Sequence, residues 1–103
     1  MIPRDLALVT AKRYISLLKK HYIPVLSAWF FVSNGTGKPG DHHVIEIAIV
    51  LDPYPDEPGK CLPFMKLRRE LDLRIEPYPI DKKDFESGNL FVDMIKATGR
   101  TLM

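Results

Sequence analysis

Apolar side chains recur at Leu8, Ala11, Ile15, Leu18 and Tyr22, three and four residues apart. That spacing lines them up on one stripe of a helix and turns the intervening lysines and arginines to the other side. It predicts a helix from about Arg4 to His21, and Pro24 ends the helical possibility. Val25 to Val32 is rich in aromatic and β-branched residues and predicts a buried strand. The stretch SNGTGKPGD, Ser33 to Asp41, is dense in turn formers and leads to a second strand, His43 to Leu51, most simply as an antiparallel pair joined by a long loop. Within that strand the run HHVIEIAIVLD, His42 to Asp52, sets one carboxylate, Glu46, among apolar neighbours.

Pro53, Pro55 and Pro58, closed by Gly59, forbid regular structure and predict an exposed loop. Leu62 to Glu70 reads as a short helix with Pro63 in its first turn. Leu71 to Glu76 alternates leucine and isoleucine with charge, as a third strand does, and Pro77 and Pro79 are expected to terminate it. A helical turn around Asp84 to Ser87 and a helix from Leu90 to Thr98, stopped by Gly99, complete the chain. The order α-β-β-α-β-α predicts an α+β fold, a small mixed β-sheet covered by helices, in a single domain over residues 1–103.

Composition narrows the function. The 103 residues are 46% hydrophobic, ordinary for a globular domain with one core. The longest apolar run, Ile23 to Val32, falls short of the ~20 residues a spanning helix needs, and no basic-then-apolar leader opens the chain, so a cytoplasmic protein with no membrane contact is expected. One cysteine, Cys61, excludes an internal disulfide and a thiolate metal cluster. A formal charge of +2 is too small to predict nucleic-acid binding, and Lys12, Arg13, Lys19 and Lys20 read as a solvated helix face.

Strand parity gives Glu46 a geometric setting. Ile45, Ile47 and Ile49 share one face, while Val44, Glu46 and Ala48 share the other. On the third strand Asp72, Arg74 and Glu76 oppose Leu71, Leu73 and Ile75. If the second and third strands are neighbours, Glu46 and Asp72 lie within about 5 Å at Cβ. Two carboxylates that close repel unless a cation or proton intervenes, so either the pair holds a metal or Arg74 neutralises it as a cross-strand ion pair.

These segments resemble the minimal nucleotidyltransferases of the DNA polymerase β superfamily. AWFFVSNGTG stands where that family has a Gly-Ser loop, HHVIEIAIVLD where it has Asp-x-Asp, and LRRELDLRIEPYPI and FVDMIKATG where it has its third acidic strand and final helix. The resemblance extends from about Leu6 to Leu102. It implies attack of a hydroxyl on the α-phosphate of a nucleoside triphosphate, with Mg2+ ions holding nucleophile and leaving group. It also implies nucleotide binding by Ser33 and Gly37, to which a nucleotide-binding module would add a basic residue such as Lys38, and metal binding by Glu46 and Asp72.

The departures from the family are specific. Val32 replaces the first loop glycine, Val44 replaces the first acid of Asp-x-Asp, and Glu46 is one methylene too long for the second. Valine supplies no oxygen to magnesium, and a carboxylate displaced by about 1 Å can cost ~100-fold in rate. His42 and His43 do not replace the missing acid, because imidazole suits other metals and adjacent strand residues face opposite ways. The resemblance therefore implies a nucleotidyltransferase-fold protein whose centre is eroded, with Glu46 and Asp72 as its vestigial acids. Such a protein is expected to act as an antitoxin-like partner of a HEPN-domain helical protein. An active metal-dependent enzyme moving a nucleotide to a protein or small molecule, and a nucleotide-binding module, are the alternatives.

Overall fold

Helix α1 (Arg4–Lys20) buries Ala7, Ala11, Tyr14, Ile15 and Leu18, so the expected stripe holds at Ala11, Ile15 and Leu18, while Leu8 is half-buried and Tyr22 falls past the helix end and is exposed. The computed structural model describes residues 2–32, 41–42, 44–52 and 62–103. Ahead of α1 a two-residue strand, β1 (Ile2–Pro3), pairs antiparallel with β3 (Asp41–His42). The C-terminus of α1 closes by a Schellman motif in which Ile23 N–H donates to the Leu18 carbonyl at 3.1 Å and Tyr22 N–H to the Lys19 carbonyl at 2.9 Å. That motif normally places glycine in the left-handed region. Here Tyr22 takes the position with φ of 62°, a conformation that costs a side-chain-bearing residue about 1 kcal/mol.

The main sheet runs β5-β4-β2-β6, with β2 (Val25–Phe31), β4 (Ile45–Leu51), β5 (Ile75–Asp81) and β6 (Arg100–Thr101). β2 pairs antiparallel with β4 and with β6, whereas β4 pairs parallel with β5. A parallel neighbour cannot be reached by a hairpin, and α2 (Leu62–Arg68) lies in the crossover between these two strands. All seven residues of β4 are buried, so both of its faces are covered. On one face Ile45, Ile47 and Ile49 pack with Tyr14, Leu18, Phe30, Phe64 and Leu67, the contribution of α1, β2 and α2. The other face carries Phe31, Ala48 and Ile95, with Trp29, Tyr78, Ile80, Phe85 and Met94 against them. It is closed by α3 (Lys82–Ser87), capped by Asp81 accepting from Lys83 N–H, and by α4 (Leu90–Thr98), capped by Asn89 accepting from Val92 N–H.

The α+β architecture and mixed sheet agree with the sequence reading, and α4 has the predicted bounds. The third strand does not. Residues 71–74 form a turn instead of a strand, Leu73 is 65% exposed instead of core-facing, and β5 begins at Ile75 and runs through both prolines. β5 is an edge strand. Proline lacks only the ladder donor, and residues two apart present their backbone to the same side, so Pro77 and Pro79 leave both missing donors on the open edge. The short strands β1, β3 and β6 carry too few residues to show a period.

Gly99 sits where α4 meets the sheet. A Cβ there would lie 2.5 Å from the Ile95 carbonyl oxygen and 3.2 Å from that of Phe30, both backbone atoms. Gly99→Ala is therefore expected to destabilise the fold by about 2 kcal/mol, the usual cost of forcing a methyl into a filled site, read as a lower urea midpoint at unchanged slope.

Candidate functional site

The parallel register of β4 and β5 places Glu46 beside Glu76, and the antiparallel register of β2 places Phe31 on the other flank of Glu46. Parity then sets Glu46 and Ala48 on the same face as Tyr78 and Ile80. Glu46 is 6% exposed, the one buried charged residue among those described. The Tyr78 hydroxyl lies 3.4 Å from Oε1 of Glu46 and 3.2 Å from Oε2 of Glu76, so a single phenolic proton serves two carboxylates. Burial, and then the negative charges of Glu46 and Glu76, push the Tyr78 phenol up to about 12.

Aromatic rings fix that hydroxyl. Phe31 and Tyr78 meet edge to face with centroids 5.4 Å apart, Phe91 meets Phe31 at 5.5 Å and 83°, and Tyr78 and Phe91 lie 5.6 Å apart. The triangle gives the acid pair a rigid apolar wall, contributed by β2, β5 and α4. Phe91 is partly exposed, and its neighbour Leu90 is 90% exposed. A hollow of about 200 Å³ beside the loop end of β2 is lined by Arg4, Phe30, Phe31, Val32 and Thr98.

Asp72, expected opposite Glu46, lies instead in the turn before β5. Its carboxylate accepts from Arg74 N–H and Nε at 2.9 Å each and from Nη2 at 2.7 Å. The Arg74 hydrogen bonds hold the Asp72 carboxyl below the usual carboxylate range. Asp72 is thus a turn former clamped by its own neighbour, and Arg74, expected across strands, is spent on it. Arg68 secures the same turn by donating from Nη1 to the carbonyls of Leu73 and Ile75. Glu46 stands on the predicted strand and face. Ser33, Gly37, Lys38, His43 and Cys61 lie outside the described residues. Glu76 lies on the expected strand and face but was passed over for Asp72, and Tyr78 was missed because the strand was expected to stop at Pro77. Carrying the period-two parity of Ile75 through the prolines would have found Tyr78.

A divalent ion of the magnesium class needs oxygen ligands in near-octahedral array. Among the described residues no group of three or more His, Cys, Asp or Glu side chains converges to hold a metal. Val44 contributes no donor, and the two acids share a phenol. The described residues do not fit a two-ion centre.

No protein-family model and no curated protein matches the chain. Among solved structures it is similar to a chain of the complex between tri-AMPylated Shewanella oneidensis HEPN toxin and MNT antitoxin, where the neighbour is the antitoxin. The two are 15% identical with a TM-score of 0.62, and the match covers 94% of this chain and 71% of the other. The fold is therefore of the minimal-nucleotidyltransferase type. No helix among the described residues is long and apolar enough to cross a membrane.

Tyr78→Phe removes the hydroxyl and leaves two carboxylates facing each other, so a loss of about 1 kcal/mol at neutral pH is expected. Because the folded phenol is raised from 10.0 to about 12, its contribution is complete below pH 10 and is lost as pH rises from 10 through 12. Burial holds Tyr14 above its ordinary value as well, so the informative quantity is the difference between parent and variant, which thermal melts should find constant below pH 10 and shrinking above it.

Proposed function

We propose that this protein is a nucleotidyltransferase-fold domain whose acid centre has lost nucleotidyl transfer, and that it acts by binding a HEPN-domain helical protein in the manner of an antitoxin. The observation that carries the reading is the make-up of the site: valine at residue 44 where the family pattern has its first acid, and a tyrosine hydroxyl between Glu46 and Glu76. The fold likeness to the antitoxin of a HEPN toxin complex supports the choice of partner.

The chemistry left to such a site is adhesion. Leu90 projects from the first turn of α4 beside Phe91, one ring of the aromatic triangle, and both are exposed. An exposed leucine beside a partly exposed phenylalanine is the kind of apolar anchor around which a helical partner packs. Mg2+ and a nucleoside triphosphate belong to the alternative, an active transferase, which the AMPylated toxin in the neighbour's complex favours and Val44 weighs against.

Two experiments test this. Purified with a HEPN-domain protein, the chain is expected to form a stable complex by gel filtration, weakened about tenfold by Leu90→Glu, whose side chain lies outside the core. Incubation with magnesium or manganese and radiolabelled nucleoside triphosphates is expected to label neither partner. Label that disappears in Glu46→Gln would instead establish the active transferase.

The lost ligand can also be returned. Val44→Asp adds a carboxylate on the face of Glu46, and repulsion is expected to lower the melting temperature by a few degrees without metal. Millimolar manganese should restore it, because ligand binding to the native state stabilises by mass action. The parent should melt alike with and without the ion.

A further inference from the structure

We infer that the outward face of α1, together with Tyr22, is a binding surface for single-stranded nucleic acid. This face lies on the opposite side of the sheet from the acid pair, since α1 packs on Ile45, Ile47 and Ile49. The inference does not rest on the function proposed above.

At 100° per residue, Lys12, Arg13, Ser16, Lys19 and Lys20 fall within an arc of about 120°, diametrically away from the buried stripe of Ala7, Ala11, Tyr14, Ile15 and Leu18. All five are exposed. None of the ion pairs among the described residues, Arg74 with Asp72 and Lys82 with Asp52 and Glu86, takes up an α1 cation. The helix carries a single acid, Asp5, at its far end. The neighbouring α2 and the turn that follows carry exposed Lys66 and Arg69 beside one exposed acid, Glu70. The result is a row of cations along a rigid rod, the arrangement that follows a phosphate backbone.

Charge alone would not distinguish this from a solvated helix. Tyr22 does. It is 94% exposed and stands directly after Lys19, Lys20 and His21, so its ring touches almost nothing of its own chain. It also occupies the one position of the Schellman motif where glycine is the unstrained choice, at φ of 62°. Backbone strain kept for an aromatic ring that does not pack points to a ring used by something else. A flat π-surface at the end of a cationic row is the platform on which a base stacks once its backbone is held, and single strands offer such bases whereas duplexes do not. An acidic protein surface would satisfy the cations but gives no reason for a bare aromatic held in strain.

Fluorescence anisotropy with short labelled single-stranded RNA and DNA of mixed sequence tests this on the full chain. Binding to either is expected, and contact with about four phosphates predicts a loss of ~50-fold in affinity between 50 and 200 mM salt. Lys12→Glu with Lys19→Glu should abolish most of it. Tyr22→Gly should weaken binding about tenfold while melting at or above the parent temperature, and Tyr22→Phe should bind as the parent does. The melting temperature shows that Tyr22→Gly is folded, so its binding is decisive. No binding to either strand at 50 mM salt, or parental binding by Tyr22→Gly, would overturn the inference. So would binding of poly-glutamate as tight as that of the single strands.

Discussion

The parallel pairing of β4 with β5 is the constraint on which the rest of the molecule depends. A parallel neighbour requires a crossover, and the crossover brings α2 onto the face already occupied by α1. It also fixes β4 as an interior strand, so that IEIAIVL must be apolar on both faces apart from one acid. The register it imposes sets Glu46 against Glu76 and Ile45 against Ile75. A slip of one residue would turn Ile45, Ile47 and Ile49 out of the larger core, which is why the acid pair is held as firmly as the core itself.

Much of this was legible in the sequence, and the exceptions share a cause. The helices α1 and α4 were read because a burial stripe repeats over enough residues to be recognised, and β2 and β4 because they are long and apolar. β5 was misplaced because proline signals the end of a strand unless the strand lies at an edge, and edge position is a property of the whole sheet. The alternation in Leu71 to Glu76 looked like a strand, yet Arg68 and Asp72 lock residues 72–75 into a turn by hydrogen bonds that no periodicity reports. From that single misplacement came the choice of Asp72 in place of Glu76.

The site shows how a fold can set two carboxylates side by side on a covered face. Two carboxylates side by side repel each other, and hydrogen-bond donors ease that repulsion. Tyr78 supplies a donor from the same strand as Glu76, two residues on, and Phe31 and Phe91 leave its ring little freedom to turn away. The hydroxyl therefore serves as a fixed internal partner. A solvent-derived ion in that place would have to displace it and part the aromatic triangle.

The sheet also divides the protein electrically. Helix α1 carries five basic residues against one acid, so although the whole chain has a formal charge of +2, everything outside α1 is net acidic. Glu46 and Glu76 lie on the face covered by α3 and α4, whereas the cationic row lies beyond the larger core on the other side. The cationic row therefore presents its charge to whatever approaches from solvent on that side of the sheet, while the acids stay within the packed layer on the other.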